Sequence, residues 1–133
     1  MTPIPKRILV TSLVAAFLTG IAAAPALHAA DAQPKYTIKE VMKALHKGDE
    51  NIGKKVTRGE GTAADFSKLL DYYSALPLNK PPRGEQSSWD AKTAVLVKAA
   101  KSLKAGEAGA VESYKTAANC KACHSAHKPE KKK

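Results

Sequence analysis

Cys120, Cys123 and His124 are the residues of this chain whose types and spacing carry a definite chemistry. On a helix, positions i and i+3 lie about one turn apart on one face, and i+4 falls beside them. Two thiols in that register can add to the two vinyl groups along one side of a porphyrin as thioethers. The imidazole four residues beyond the first thiol then reaches the iron as a proximal ligand. C-x-x-C-H is the attachment signature of c-type haem. The expected cofactor is one covalently attached haem c, which uses both of the cysteines that the 133 residues contain.

Three other uses of the same side chains are weaker. A thioredoxin-like thiol pair belongs to a βαβ setting, and no segment here alternates with period two over a strand length. A zinc site from Cys120, Cys123 and His127 has suitable donors but must recruit His46 as the fourth. Cysteines at i and i+3 of a continuous helix rarely meet disulfide geometry.

The elements that must position the motif begin after a leader. Lys6 and Arg7 precede an uncharged apolar run over residues 8–24, Pro25 breaks it, and small residues follow through Ala32. That is the charged, apolar and small-residue pattern of a secretory signal peptide over residues 1–30, with cleavage within residues 29–32. No other apolar run is long enough to cross a bilayer. The expected destination is the periplasm, and the expected domain covers residues 31–128, followed by a basic tail over residues 129–133.

Helical spacing then marks four segments. Thr37 and Glu40 fit a capping box. Ile38, Val41, Met42 and Leu45 follow on one face, with a break at Gly48 and a resumption through Ile52 and Val56. The second segment starts near Thr62, carries Phe66, Leu69, Leu70, Tyr73 and Leu76, and stops at Pro77. The third follows Ser88 as N-cap and runs to about Ala105 with Trp89, Leu96, Ala100 and Leu103 on its stripe. The fourth is expected to be continuous over residues 107–127, with the motif near its end. Four amphipathic segments with mostly short connections predict an all-α fold, an antiparallel four-helix bundle with the covalent haem near the C-terminal helix.

Composition bounds the rest. The formal net charge is +10, 44% of residues are hydrophobic and 5% aromatic. The length suits one small domain and excludes an enzyme carrying its own nucleotide-binding domain. Basic residues are spread over all segments rather than gathered in an arm with stacking aromatics, so nucleic acid is not the expected partner. The positive excess is expected to be mainly solvated surface, with steering toward an acidic redox partner or an anionic membrane surface as the functional alternative. No integral membrane contact is expected once the leader is removed.

The place of the motif on the last helix of a four-helix pattern, with a basic residue shortly after, resembles the class II c-type cytochromes, the cytochrome c prime family with its low-spin relatives. Here the segment reads Cys120-Lys121-Ala122-Cys123-His124-Ser125-Ala126-His127-Lys128. Two positions depart from the family pattern. An aromatic residue often stands where this chain has His127, and arginine where it has Lys128.

The resemblance implies a distal residue on the first helix, and Tyr36-Thr37-Ile38-Lys39-Glu40-Val41-Met42-Lys43 places Met42 there. A thioether ligand favours ferrous iron and raises the potential. The expectation is therefore a one-electron carrier with His124 and Met42 on the iron, which makes and breaks no substrate bond and is not an enzyme. The alternative is a five-coordinate iron on His124 that binds nitric oxide or carbon monoxide, with Met42 blocking but not ligating. His46, one turn beyond Met42, is a rival ligand. His127 is expected to face solvent or a propionate, and Tyr72, Tyr73, Tyr114 and Trp89 to fill the core or pack on the haem. The resemblance also implies a homodimer paired through the first two helices.

Overall fold

The computed structural model describes residues 33–130. The expected signal peptide over residues 1–30 and the last three lysines of the tail lie outside them. The described residues are all-α, with six helices, one short 3-10 turn and no strand among them.

Local signals set the boundaries. Helix α1 (Ile38–His46) starts at the expected capping box: Glu40 N–H donates to the Thr37 hydroxyl, and Thr37 N–H donates to the Glu40 carboxylate at 2.8 Å. Two orphan amides of the first turn are thereby satisfied. The chain leaves α1 through Gly48 at φ 90, a backbone region that costs glycine little. Asn51 then caps α2 (Ile52–Thr57), accepting from Lys54 N–H at 2.9 Å. Helix α3 (Ala63–Tyr73) has a second capping box, Thr62 with Asp65. Pro77 does not lie at the end of α3 itself; it sits in a separate 3-10 turn, Leu76–Leu78.

Two boundaries differ from the periodicity reading. Helix α4 (Gln86–Ala105) begins two residues before Ser88, with Glu85 at the cap position, so Ser88 is inside the first turn. The last segment is not one helix but two. Helix α5 (Ala110–Ala117) ends at Ala118, whose ψ of 37 leaves the helical region, and α6 (Cys120–His127) restarts on its own cap. The cap is Asn119, whose side chain accepts from Ala122 N–H at 3.0 Å. An asparagine that bonds the backbone ahead of it competes with continuation of the helix behind it. Its consequence is that the motif occupies a short helix with its own start.

Helix α4 is the centre of the packing and touches α3, the 3-10 turn, α5 and α6, while α1 packs on α2 and α3. The shared core contains Val41, Leu45, Val56, Leu69, Leu76, Leu96, Leu103 and the rings of Tyr73, Trp89 and Tyr114. Ala99, Ala100 and Ala110 belong to the same core, and their small side chains let neighbouring backbones approach. Truncating a fully buried leucine such as Leu45 or Leu69 to alanine costs about 2–5 kcal/mol. The Trp89 indole N–H donates to the Leu76 carbonyl at 2.9 Å, joining α4 to the 3-10 turn. The segment before α1 is held on α3: Tyr36 stacks on Tyr72 with centroids 4.0 Å apart, and its hydroxyl donates to Asp71 at 2.8 Å. No helix among the described residues is long and apolar enough to cross a membrane.

Candidate functional site

The motif helix is anchored at both ends by different chemistry. At its start stands the Asn119 cap. At its end the Arg83 guanidinium donates to the carbonyls of Ser125 and Ala126 and pairs with Glu130 at 3.2 Å. These carbonyls belong to the last turn, where helical partners run out. His127 completes the anchor. Its Nδ1 is 2.9 Å from the Arg83 carbonyl oxygen, which can only accept, so Nδ1 carries the proton. In the neutral ring Nε2 is then the acceptor, and the Ser88 hydroxyl at 3.1 Å is its donor. The ring meets Trp89 edge-on, with centroids 5.4 Å apart. His127 is therefore buried, 2% exposed, and does not face solvent, as one of the two sequence expectations has it. The reason lies in the loop of residues 79–85, which folds over α6 and supplies a carbonyl at the right height.

Between this anchor and the cap, α6 turns Cys123 and His124 toward α1. Met42 and His46 of α1, Leu96 of α4 and Cys120, Cys123 and His124 of α6 line one narrow, largely apolar cavity of about 70 Å³. It adjoins a cleft of about 680 Å³ bounded by Ile38 and Met42 of α1, Trp89 of α4, and Cys123, His124 and His127 of α6. Small-molecule sites commonly span about 300–1,000 Å³. Met42, Cys123 and His124 line both spaces. The charged residues on the rim of the larger cleft are Lys39, Lys80 and Lys128, all cations.

The two thiols are free, Cys120 exposed and Cys123 half-buried. Burial pushes the Cys123 thiol up from its ordinary pKa. A thioredoxin-like thiol pair belongs to a βαβ setting, and the described residues around the motif are all helical. His124 is exposed at the mouth of the cleft and Met42 is half-buried in its wall. Among the described residues no three histidine, cysteine, aspartate or glutamate side chains converge as a metal-ion site. The zinc set of Cys120, Cys123, His127 and His46 is not assembled, and both ring nitrogens of His127 are engaged by the Arg83 carbonyl and the Ser88 hydroxyl.

His46 has surroundings that periodicity does not reveal. Its Nε2 is 2.9 Å from the Tyr73 hydroxyl, and that hydroxyl is 3.0 Å from the Tyr114 hydroxyl. Burial lowers the His46 pKa, and the neighbouring His124 adds to the shift, so both favour the neutral ring. Burial raises both phenols. Tyr73, Tyr114 and Trp89 are core residues, while Tyr72 lies half-buried away from the cleft against Tyr36.

Arg83 and Gly84 escape a reading by motif. Gly84 has φ +80, and a Cβ there would fall 2.8 Å from the Ala126 carbonyl oxygen and 2.9 Å from His127 Nδ1. Their one local signal is a glycine and an arginine inside a proline-rich loop. Comparisons with protein-family models, with curated proteins and with solved structures find no match to this chain.

Proposed function

We propose that this chain is an exported c-type haem protein that carries single electrons between proteins in the periplasm. In this reading α1 with α2, α3, α4 and the α5–α6 pair form the four arms of a bundle around one haem c. Cys120 and Cys123 hold the porphyrin as thioethers, His124 is the proximal iron ligand and Met42 the distal one. When bound, the haem supplies a one-electron couple whose potential a methionine–histidine pair raises.

The observation that carries the reading is that two free thiols, an imidazole from α6 and a thioether from α1 line one apolar space. The donor set fits: the thiols stand at i and i+3, the imidazole is adjacent, and no carboxylate lines either cavity. The chain's own residues do the positioning. Asn119 starts the motif helix, Arg83 and His127 fix its end, and Leu96, Ile38 and Trp89 supply apolar walls that exclude water from a bound ring. Lys39, Lys80 and Lys128 put positive charge on the cleft rim, which suits propionate carboxylates and an acidic redox partner. The leader pattern supports export, and export suits covalent haem attachment. No residue is assigned to bond-breaking chemistry, so the protein is not proposed as an enzyme.

The test is the intact mass and visible spectrum of the mature protein exported from a host that attaches c-type haem. The expected result is a mass increase of one haem, lost in a Cys120→Ala/Cys123→Ala variant, with a six-coordinate low-spin spectrum. A five-coordinate high-spin spectrum transfers the assignment to binding of nitric oxide or carbon monoxide. Absence of covalent haem sinks both.

A further inference from the structure

Met42 and His46 stand one turn apart on α1, and both line the narrow cavity with Cys120, Cys123 and His124. One helix thus offers two groups able to ligate iron. They differ in how they are held. A thioether is at most a weak acceptor on a flexible, unbranched chain. The His46 ring is fixed on two sides. Its Nε2 meets the Tyr73 hydroxyl at 2.9 Å, and a Cβ built on the buried Gly53 would fall 2.7 Å from its Nδ1.

The tyrosine pair behind His46 is a costly way to fill a core. Both rings are fully buried, and phenylalanine would occupy the same space without a hydroxyl to satisfy. The Tyr73 hydroxyl has two partners, His46 Nε2 and the Tyr114 hydroxyl at 3.0 Å. Its use is to hold the imidazole.

We infer that Tyr73 is a positioning residue that selects the iron ligand: its hydroxyl, braced by Tyr114, occupies Nε2 of His46 and leaves the distal position to Met42. The inference rests on the haem reading above. Imidazole suits iron well, so an unrestrained His46 competes with the thioether. The outcome of that competition sets the potential, because the methionine–histidine pair is the high-potential one.

The test compares holoprotein of wild type, His46→Gln, Tyr73→Phe and Tyr73→Phe/His46→Gln by ferric visible spectrum and reduction potential. Wild type and His46→Gln are expected to share the far-red methionine-to-iron charge-transfer band. Tyr73→Phe is expected to lose most of that band, show a bis-imidazole low-spin spectrum and fall in potential. The double variant is expected to regain the methionine band, a rescue that general damage to the core does not produce. An unchanged band and potential in Tyr73→Phe overturns the inference, as does loss of the low-spin state in His46→Gln alone.

A five-coordinate wild type removes the Met42 assignment but still tests Tyr73. Tyr73→Phe must then become six-coordinate through His46, and a variant that stays five-coordinate overturns the inference. A chain without covalent haem overturns both readings. Should Tyr73→Phe fail to accumulate, Tyr114→Phe removes only the brace and must weaken the same band, or in a five-coordinate wild type begin to admit His46; no change overturns the inference.

Discussion

His127 Nδ1 donates to the Arg83 carbonyl at 2.9 Å, across 44 positions of sequence. Around that bond the Arg83 side chain reaches the carbonyls of Ser125 and Ala126, and Gly84 passes so close that no Cβ fits. The loop and the motif helix are therefore one unit mechanically, although the sequence separates them.

Gly84→Ala is expected to destabilise the chain by about 1–3 kcal/mol, from a positive φ that alanine resists and from contact with Ala126 and His127. Urea unfolding measures it. A midpoint equal to wild type would mean that the loop moves freely off α6.

Asn119→Ala removes the side-chain acceptor for Ala122 N–H and is expected to cost about 0.5–2 kcal/mol. Its effect is predicted to be local. Hydrogen exchange should quicken at Ala122 and Cys123 while the amides of α4 keep their protection. Uniform loss of protection across the chain would contradict a cap of local reach.

Met42→Ala is expected to abolish the low-spin ferric spectrum of the holoprotein and to open the iron to carbon monoxide in the ferrous form. The potential should fall as the thioether is lost. Retention of the wild-type spectrum would remove Met42 from the iron.

Stability should decline as acid reaches the two capping boxes. Glu40 and Asp65 lie below their ordinary pKa values, first because the backbone N–H groups of Thr37 and Thr62 bond their ionised forms, then through the threonine hydroxyls. A depressed folded-state pKa means that the unfolded chain takes up protons first. The stabilisation is thus complete above the ordinary carboxylate range and is lost as pH falls through the lower folded values. Urea midpoints from about pH 6 down to about pH 3 should drop. Glu40→Gln/Asp65→Asn, which removes both titrations, should flatten that slope, and an equal slope in this variant would assign the effect to other groups.

What the sequence makes legible here is mostly local. Thr37 with Glu40 marks the start of α1, Gly48 its end, and Gly106 at φ 68 the end of α4. These signals act within a few residues, so no tertiary knowledge is needed. The split between α5 and α6 is hidden because Tyr114, Ala118 and Lys121 keep helical spacing across it, while one asparagine side chain decides the backbone. The burial of His127 escapes the sequence for a different reason. Its burial depends on where the loop of residues 79–85 lands, and periodicity along α6 carries no information about that. The hold of Tyr73 on His46 is equally non-local, since the two residues are 27 positions apart and neither stripe distinguishes a phenol from a benzyl group.

The Arg83 anchor also has a meaning in time. If the chain is exported N-terminus first, as proposed, α1, α3, α4 and the loop would arrive before residues 120–127. The surface that carries Arg83 and Gly84 would then be available when the cysteines emerge. The interval before His127 docks on it would be the period in which the thiols are open to haem attachment. Under that proposal, loosening the loop would lengthen the interval, and tightening it would make docking a competitor of attachment.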